Sequence, residues 1–187
     1  MGGDRERWDA KYRGSEGEKR LAPDPFFLRA LESLGGLAGA RAVDLACGTG
    51  RHALELARRG AAVEAWDVSP IALEILGRRA SEHGLAVTTR ALDLSPPAAL
   101  PGAPFDLAVA VDFLERALWA RLGDLVRPGG HALLTTFTHD WPGAKPPLQY
   151  RLAPGELAHG IPGFETLFAE ESGGRAGWFG RRLDVRE

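Results

Sequence analysis

The chain has 187 residues, the size of one ordinary domain, and its 44% hydrophobic and 26% charged residues form a globular composition. Its 23 basic and 25 acidic side chains leave a net charge of −2, which argues against a nucleic-acid partner because polyanion binding needs a concentrated positive surface. The single cysteine excludes an intramolecular disulfide and a cysteine-cluster zinc site, and we expect no metal. Residues 1–20 carry charges throughout and no apolar run reaches ~18 residues, so we expect no signal peptide, no membrane helix and a cytoplasmic protein.

The predicted helices follow a charged N-terminal segment. Residues 1–23 are predicted to be irregular, although Trp8 and Tyr12 lie four apart and would share one face of a helix. Asp24 suits the N-cap and Pro25 the first position of a helix that ends before Gly35. Apolar residues at helical spacing predict further helices over 51–59, 70–83, 115–125 and 154–159, with a long loop over 138–153.

Short apolar runs predict seven strands, over residues 42–46, 62–66, 86–92, 105–111, 131–137, 164–169 and 177–185. Strands that alternate with helices indicate an α/β fold, with a doubly wound, mostly parallel sheet between two helix layers. The last two strands have only a turn at 171–174 between them, so we expect the final strand to run antiparallel. We find no linker, and we expect one domain over 1–187 with its α/β core in 24–187.

The most informative segment, residues 43–51, lies between the first strand and the helix that follows it. Gly48 and Gly50 allow a tight turn and let a ligand contact bare main chain next to a helix N-terminus. Asp67 ends the second strand, where an acidic side chain commonly accepts hydrogen bonds from both hydroxyls of a ribose. The glycine turn and this acid together indicate a nucleoside-binding site.

The same glycines also satisfy the loose fingerprint of dinucleotide-binding proteins, so a nicotinamide cofactor is an alternative. Asp44, on the first strand, favours a different nucleoside. Its carboxylate would repel a pyrophosphate, whereas a cofactor with an ammonium and a sulfonium group would tolerate it.

On these residues the sequence resembles the class I S-adenosylmethionine-dependent methyltransferases, whose first motif reads Asp-x-Gly/Ala-Cys-Gly-x-Gly and is matched by residues 44–50. The resemblance implies S-adenosyl-L-methionine as cofactor and a sheet in the order 3-2-1-4-5-7-6. Within that class it resembles the small tellurite-resistance-type methyltransferases, through residues 9–12, 50–60, 63–67 and 154–157. His52 stands where that group usually has Asn, on the expected outer side of the turn, and residues 172–175 contain no His.

The resemblance also assigns roles to residues around the predicted crevice. Asp93 would bind the adenine amine and Leu94 would pack on the ring, while Trp8 and Tyr12 would belong to an N-terminal lid over residues 1–23. Arg13 and Arg51 are candidates for the methionine carboxylate, because a guanidinium matches a carboxylate fork. The full set of cofactor-binding candidates is Trp8, Tyr12, Arg13, Asp44, Ala46, Gly48, Gly50, Arg51, Asp67, Val68, Asp93, Leu94, Val111 and Asp112.

Methyl transfer is an in-line displacement that needs alignment more than a catalytic triad, so the catalytic residues stay open, with His139 and Tyr12 as candidates. A chain this small and neutral is expected to act on a small-molecule acceptor, as a monomer or homodimer. Two alternatives stay open: an NAD-type oxidoreductase, although the chain has no Tyr-x-x-x-Lys pair, and a non-catalytic nucleoside-binding module.

The composition predicts a thermostable protein. The sequence has no Asn, one Gln, one Cys and one Met, so the residues that deamidate or oxidise on heating are depleted. We expect a thermal unfolding midpoint above the ~45–65 °C usual for mesophilic proteins, measured by scanning calorimetry. A midpoint inside that range would instead favour a GC-rich genome as the cause of the composition.

Overall fold

The computed structural model describes residues 3–14, 22–95, 100 and 104–184. Within these residues seven strands form one sheet: β1 (Arg41–Leu45), β2 (Ala62–Asp67), β3 (Val87–Ala91), β4 (Phe105–Val111), β5 (Val126–Phe137), β6 (Phe164–Ser172) and β7 (Arg175–Arg182). The strand order is 3-2-1-4-5-7-6, as the family resemblance implied. Strands β1 to β5 pair in parallel, and β7 runs antiparallel to both β5 and β6, which confirms the predicted direction of the final strand.

The helices lie on both faces of this sheet, which confirms the doubly wound architecture. They are α1 (Gly3–Arg13), α2 (Pro25–Ser33), α3 (Arg51–Arg58), α4 (Pro70–Glu82), α5 (Arg116–Trp119) and α6 (Leu122–Leu125). One apolar core collects buried side chains of α2, α3 and α4, and the other collects those of α5 and α6. Adjacent residues of β1 alternate between them, because successive strand side chains point to opposite faces: Ala42 joins the first core and Val43 the second. None of the described helices has the length and hydropathy that a membrane span requires.

Residues 3–13 form a helix, so the prediction of an irregular N-terminal segment is wrong for this part. Asp4 and Glu6 lie in the first turn of α1, and Lys11 and Arg13 lie in its last turn. These charges complement the helix dipole, a signal that the prediction did not use. Residues 15–21 of the predicted lid segment lie outside the described residues, as do residues 1–2.

The predicted helix over 115–125 is wrong as a single element, because the structure divides it into α5 and α6. The backbone at Arg121 leaves the helical region with φ of −110° and ψ of 5°, and Gly123 disfavours a continuous helix. Strand β5 begins at Val126, five residues earlier than predicted. Val126 pairs with Phe105, and the register then shifts so that His131 pairs with Leu107, which accommodates the Pro-Gly-Gly segment at 128–130.

Smaller boundaries also differ from the predictions, and the final strand begins at Arg175 instead of residue 177. The helix predicted over 154–159 is a single 3₁₀ turn, Leu157–His159, and the long loop contains a second one, Leu148–Tyr150. Strand β6 extends to Ser172, so the hairpin turn consists of Gly173 and Gly174, both with positive φ. These two glycines adopt the left-handed backbone that a tight hairpin needs, which allows both strands to continue to its edge.

Close packing of α2 on the sheet requires a glycine at position 177. A Cβ built on Gly177 would lie 2.5 Å from the Phe26 ring, whereas a Cβ on Gly77, in α4, would meet no atom within 4 Å. We expect Gly177→Ala to lower the free energy of unfolding by about 1–3 kcal/mol, and Gly77→Ala to raise it by up to ~1 kcal/mol through helix propensity. Urea unfolding of both variants checks this, and equal effects of the two would contradict the packing described.

Candidate functional site

The turn after β1 presents bare main chain at the carboxyl edge of the sheet. Gly48 and Gly50 adopt φ of 54° and 85°, in the left-handed region that favours glycine, and form the tight turn predicted here. Gly50 is the N-cap of α3, and a Cβ there would lie 2.1 Å from a Leu76 methyl carbon. A side chain at either position would therefore strain the backbone, and at Gly50 it would also collide with α4.

The Asp67 carboxylate joins this turn to the next one. Its Oδ2 accepts a hydrogen bond from the Gly48 backbone N–H at 2.8 Å, and its Oδ1 accepts one from the Ser69 backbone N–H at 2.9 Å. Burial raises the pKa of Asp67, and these backbone N–H groups oppose that shift. Each carboxylate oxygen keeps a further lone pair, so Asp67 can accept two more hydrogen bonds in this position.

Asp44 lies deeper, on β1, with almost no exposed surface. Its Oδ2 accepts a hydrogen bond from the Ala53 backbone N–H at 3.0 Å, which anchors the first turn of α3. Burial raises the Asp44 pKa to about 7, with the hydrogen bond from Ala53 acting in the opposite direction. A cation placed beside this carboxyl would favour its charged form.

Helix α1 lies over the glycine turn. The Tyr12 hydroxyl is 2.8 Å from the position that a Gly48 Cβ would occupy, and the Asp9 Oδ1 is 2.5 Å from the Ser69 hydroxyl. Trp8 stacks on Tyr12 with ring centroids 5.8 Å apart, and the Lys11 ammonium lies 4.2 Å from the Trp8 ring. Burial, and then the Asp67 charge, raises the pKa of Tyr12, so its hydroxyl keeps its proton in this arrangement.

The two non-glycine residues with positive φ among the described residues, Ala46 at 55° and Asp112 at 60°, follow the neighbouring strands β1 and β4. Such backbone strain is concentrated at functional sites. Asp112 also takes part in an ion-pair chain: Arg51 Nη2 donates to its Oδ2 at 2.8 Å, and Arg175 Nη2 donates to its Oδ1 at 2.7 Å. The same Arg175 nitrogen lies 2.9 Å from Asp24 Oδ2. We call Arg51, Asp112, Arg175 and Asp24 the ion-pair chain.

The remaining candidates divide between those near the crevice and those away from it. Val111 and Leu94 are buried and Val68 is half-buried, whereas Asp93 is exposed and accepts a hydrogen bond from the Ser95 backbone N–H at 2.9 Å. That bond is a turn-capping contact, and the adenine role assigned to Asp93 stays a prediction. Arg13 and His139 are both exposed, in α1 and in the turn after β5.

Sequence reasoning missed two members of this edge. His52 is buried, not on the outer side of the turn as expected, and its Nε2 lies 3.2 Å from the Asp24 backbone nitrogen. Arg175 begins β7 and reaches back across the edge of β5, where its guanidinium lies 4.7 Å from the Phe137 ring centroid. The prediction of an N-cap at Asp24 is confirmed, since its Oδ1 accepts a hydrogen bond from the Phe26 backbone N–H at 2.9 Å. The ion pair between Asp24 and Arg175 was not predicted, because residues so far apart in the chain leave no local pattern in the sequence.

Residues 42–130 match the family described as "Methyltransferase domain". The chain is 30% identical over 122 residues to a ubiquinone biosynthesis O-methyltransferase of Cupriavidus pinatubonensis, which covers 63% of this chain and 49% of that protein. A protein of the same name from Methylocella silvestris is 31% identical over 168 residues, covering 73% and 62%. The chain thus spans about half to three fifths of the length of these curated relatives.

Solved structures share the fold over nearly the whole chain. TehB from Haemophilus influenzae superposes with a TM-score of 0.73 at 20% identity, covering 95% of this chain and 66% of TehB. The magnesium protoporphyrin IX methyltransferase ChlM from Synechocystis PCC 6803, with bound SAH, superposes with a TM-score of 0.68 at 18% identity, covering 95% and 97%. At these identities the likeness concerns the fold.

Burial of His52 generates a pH prediction. Burial first, and then the Arg51 charge, lowers the His52 pKa to about 3, so the folded chain binds fewer protons than the unfolded chain between about pH 3 and the unperturbed value of ~6.5. Stability from this group is therefore lost as the pH falls through that window. Between pH 7 and pH 5 we expect this group to lower the free energy of unfolding of the wild type by about 2 kcal/mol, a loss that the His52→Gln variant does not undergo.

Urea unfolding at both pH values measures this difference. His83→Gln, at the exposed C-cap of α4, is the matched control and should keep the wild-type slope. If the His52→Gln chain loses as much stability as the wild type, His52 does not titrate as its burial requires.

Proposed function

The chain carries a class I S-adenosylmethionine-dependent methyltransferase domain, and from that premise we propose that it transfers a methyl group from S-adenosylmethionine to a small-molecule acceptor. The observation that carries the proposal is the pairing of the Gly48 turn with the Asp67 carboxylate at adjacent strand ends. Relatives that are named for O-methyl transfer in ubiquinone biosynthesis support a small organic acceptor. The oligomeric state, monomer or homodimer, stays a prediction, and so does the cytoplasmic location.

The residues present fit this cofactor. Gly48 offers a main-chain surface that any Cβ would fill, and Asp67 keeps one acceptor site on each oxygen, which matches the two hydroxyls of a ribose. Asp44, with its pKa near neutrality, suits the ammonium group of the methionine part, because that charge would stabilise the carboxylate. A pyrophosphate would gain nothing from either carboxylate, which favours this cofactor over a dinucleotide.

S-adenosylmethionine, when bound, supplies a methyl carbon on a positive sulfur, to which an acceptor lone pair bonds as the carbon–sulfur bond breaks. The chain's part is to orient the cofactor and exclude water. Gly48 and Asp67 would fix the ribose, Leu94 and Val111 would contribute apolar surface for the adenine, and Arg51 would hold the methionine carboxylate. No step here requires a nucleophilic side chain of the protein.

We assign helix α1 the role of a lid. Tyr12 lies next to Gly48, and the Asp67 carboxylate beside that turn is buried, so we expect α1 to move away from the turn when a ribose binds there. Helix α1 would then close again over the bound cofactor and re-form the Asp9–Ser69 hydrogen bond. Closure would place the stacked Trp8 and Tyr12 rings beside the positive sulfur, because aromatic faces attract a cation. Tyr12 and His139 are the candidates for contact with the acceptor, and the raised Tyr12 pKa favours Tyr12 as a hydrogen-bond donor rather than as a base.

One experiment separates the proposed cofactor from the nicotinamide alternative. We expect S-adenosylmethionine and S-adenosylhomocysteine to raise the thermal unfolding midpoint, since a ligand that binds only the folded chain stabilises it, and NAD to leave the midpoint unchanged. A shift produced by NAD alone would overturn the proposal. Methyl transfer to members of an acceptor library would then distinguish an enzyme from a non-catalytic binding module.

Asp67→Asn should weaken S-adenosylhomocysteine binding by about 2–3 kcal/mol, because it removes a charged acceptor of ribose hydrogen bonds. Titration calorimetry measures the loss, and circular dichroism establishes that the variant is folded. Asp124→Asn, on the exposed side of α6, is the matched control and should bind as the wild type does. Unchanged affinity in the Asp67→Asn chain would contradict the assignment of the ribose site.

The lid predicts a faster release of ligand when its aromatic anchor is removed. Trp8→Ala should raise the dissociation rate of S-adenosylhomocysteine roughly 5- to 10-fold, because the stack that holds Tyr12 over the turn is lost. Stopped-flow displacement gives the rate, and Glu6→Ala, exposed on the same helix, is the control. Equal dissociation rates in all three chains would mean that α1 does not cover the ligand.

A further inference from the structure

In the ion-pair chain, two arginines bind the same carboxylate, that of Asp112. Asp112 receives Arg51 on Oδ2 at 2.8 Å and Arg175 on Oδ1 at 2.7 Å, and its side chain is 17% exposed. Arg175 also contacts Asp24 Oδ2 at 2.9 Å and lies 3.4 Å from the Thr135 hydroxyl. Along the ion-pair chain, the contacts run from Arg51 to Asp112, then to Arg175 and then to Asp24, so each charge contacts one of opposite sign.

Arg51 lies at the crevice end of this chain. It is the first residue of α3, directly after the glycine turn, and its charge acts on the side chains inside the crevice, where it opposes the rise in the Tyr12 and Asp44 pKa values. Arg175 lies at the other end, on β7, and it contacts Asp24 at the start of α2. Of these two arginines, Arg51 is therefore the one whose charge acts on the side chains in the crevice.

Arg51 donates from Nη2 to Asp112 at 2.8 Å, and its Nη1 lies 3.4 Å from the Ala22 carbonyl oxygen, so a turn of its guanidinium toward the carboxylate of a ligand would weaken its bond to Asp112. A partly buried carboxylate that loses its cationic partners is costly, because desolvation is then no longer offset by ion pairing. Arg175 removes most of that cost, since it keeps its own bond to the other Asp112 oxygen when Arg51 turns away. Without Arg175, binding of Arg51 to a ligand would deprive Asp112 of both arginines.

We propose that Arg175 is a positioning residue, which acts through Asp112 to leave Arg51 available for the carboxylate of the cofactor. This inference rests on the proposed function, because it takes the methionine part of S-adenosylmethionine as the ligand of Arg51. It predicts a loss of affinity that depends on the ligand. Replacing Arg175 lowers the affinity for ligands that carry the carboxylate and leaves the affinity for nucleosides without it almost unchanged.

The test compares two ligands in calorimetric titrations of the full chain. S-adenosylhomocysteine carries the amino-acid carboxylate, whereas 5′-methylthioadenosine has the nucleoside and the thioether but no amino acid. Arg175→Met should lower the affinity for S-adenosylhomocysteine roughly tenfold and the affinity for 5′-methylthioadenosine less than about twofold. Arg181→Met, on the same strand and paired with exposed Glu165 at 3.0 Å, is the matched control and should change neither affinity.

A second variant pair keeps the proposal falsifiable if Arg175→Met perturbs the fold. Asp112→Asn together with Arg175→Met removes the carboxylate that competes for Arg51, so S-adenosylhomocysteine affinity should recover relative to Arg175→Met alone. Arg175→Lys, which keeps a cation beside Asp112, should retain more of that affinity than Arg175→Met. Recovery in the double variant distinguishes this role from a loss of general stability, which a second substitution would not repair.

Three results would overturn the inference: equal weakening of both ligands by Arg175→Met, no weakening of either, or no recovery in the double variant. Failure of the proposed function looks different, because the wild-type chain would then bind neither S-adenosylhomocysteine nor 5′-methylthioadenosine. A wild type that binds both ligands, with variants that do not discriminate between them, would retain the proposed function and reject the role of Arg175.

Discussion

The fold depends at its carboxyl edge on one carboxylate that joins two turns. Asp67 accepts one backbone N–H from the turn after β1 and another from the turn after β2, and so fixes where Gly48 lies relative to α4. Two charge-assisted hydrogen bonds offset part of the cost of burying this carboxylate. The same geometry leaves acceptor capacity on both oxygens and bare main chain beside them, so the structural link and the proposed nucleoside site share the same atoms.

Polar contacts, more than apolar burial, hold helix α1 on the rest of the chain. No residue of α1 is buried, and its contacts include the Tyr12 hydroxyl next to Gly48, the Asp9–Ser69 hydrogen bond and the Arg7 guanidinium 5.9 Å from the Tyr150 ring centroid. Ordering a residue costs ~1–2 kcal/mol, so a polar helix with few anchors is marginal on the core. Such a helix can open at low cost, which a lid over a ligand crevice requires.

Local patterns predicted the sheet because each βα unit carries its own signals: a buried apolar run, a capping residue such as Ser69, and a glycine such as Gly60 at the end of a helix. The start of β5 was missed because Val126 is separated from the rest of the strand by the Pro-Gly-Gly segment, and it is recognised as a strand residue only through its pairing with Phe105. The ion-pair chain was missed for the same reason, since Arg175 and Asp24 are 151 residues apart and meet only in the folded sheet. The positions of Asp67 and Gly48 were predictable because both residues lie at or just after strand ends, which the periodicity of the sequence locates.

A crystal structure of the chain with S-adenosylhomocysteine tests the central claim most directly. The account predicts both ribose hydroxyls within hydrogen-bond distance of the Asp67 carboxylate, and the Tyr12 hydroxyl displaced from its position over Gly48. A nucleoside bound away from the glycine turn, with Tyr12 still against Gly48 and Asp67 still covered, would contradict it.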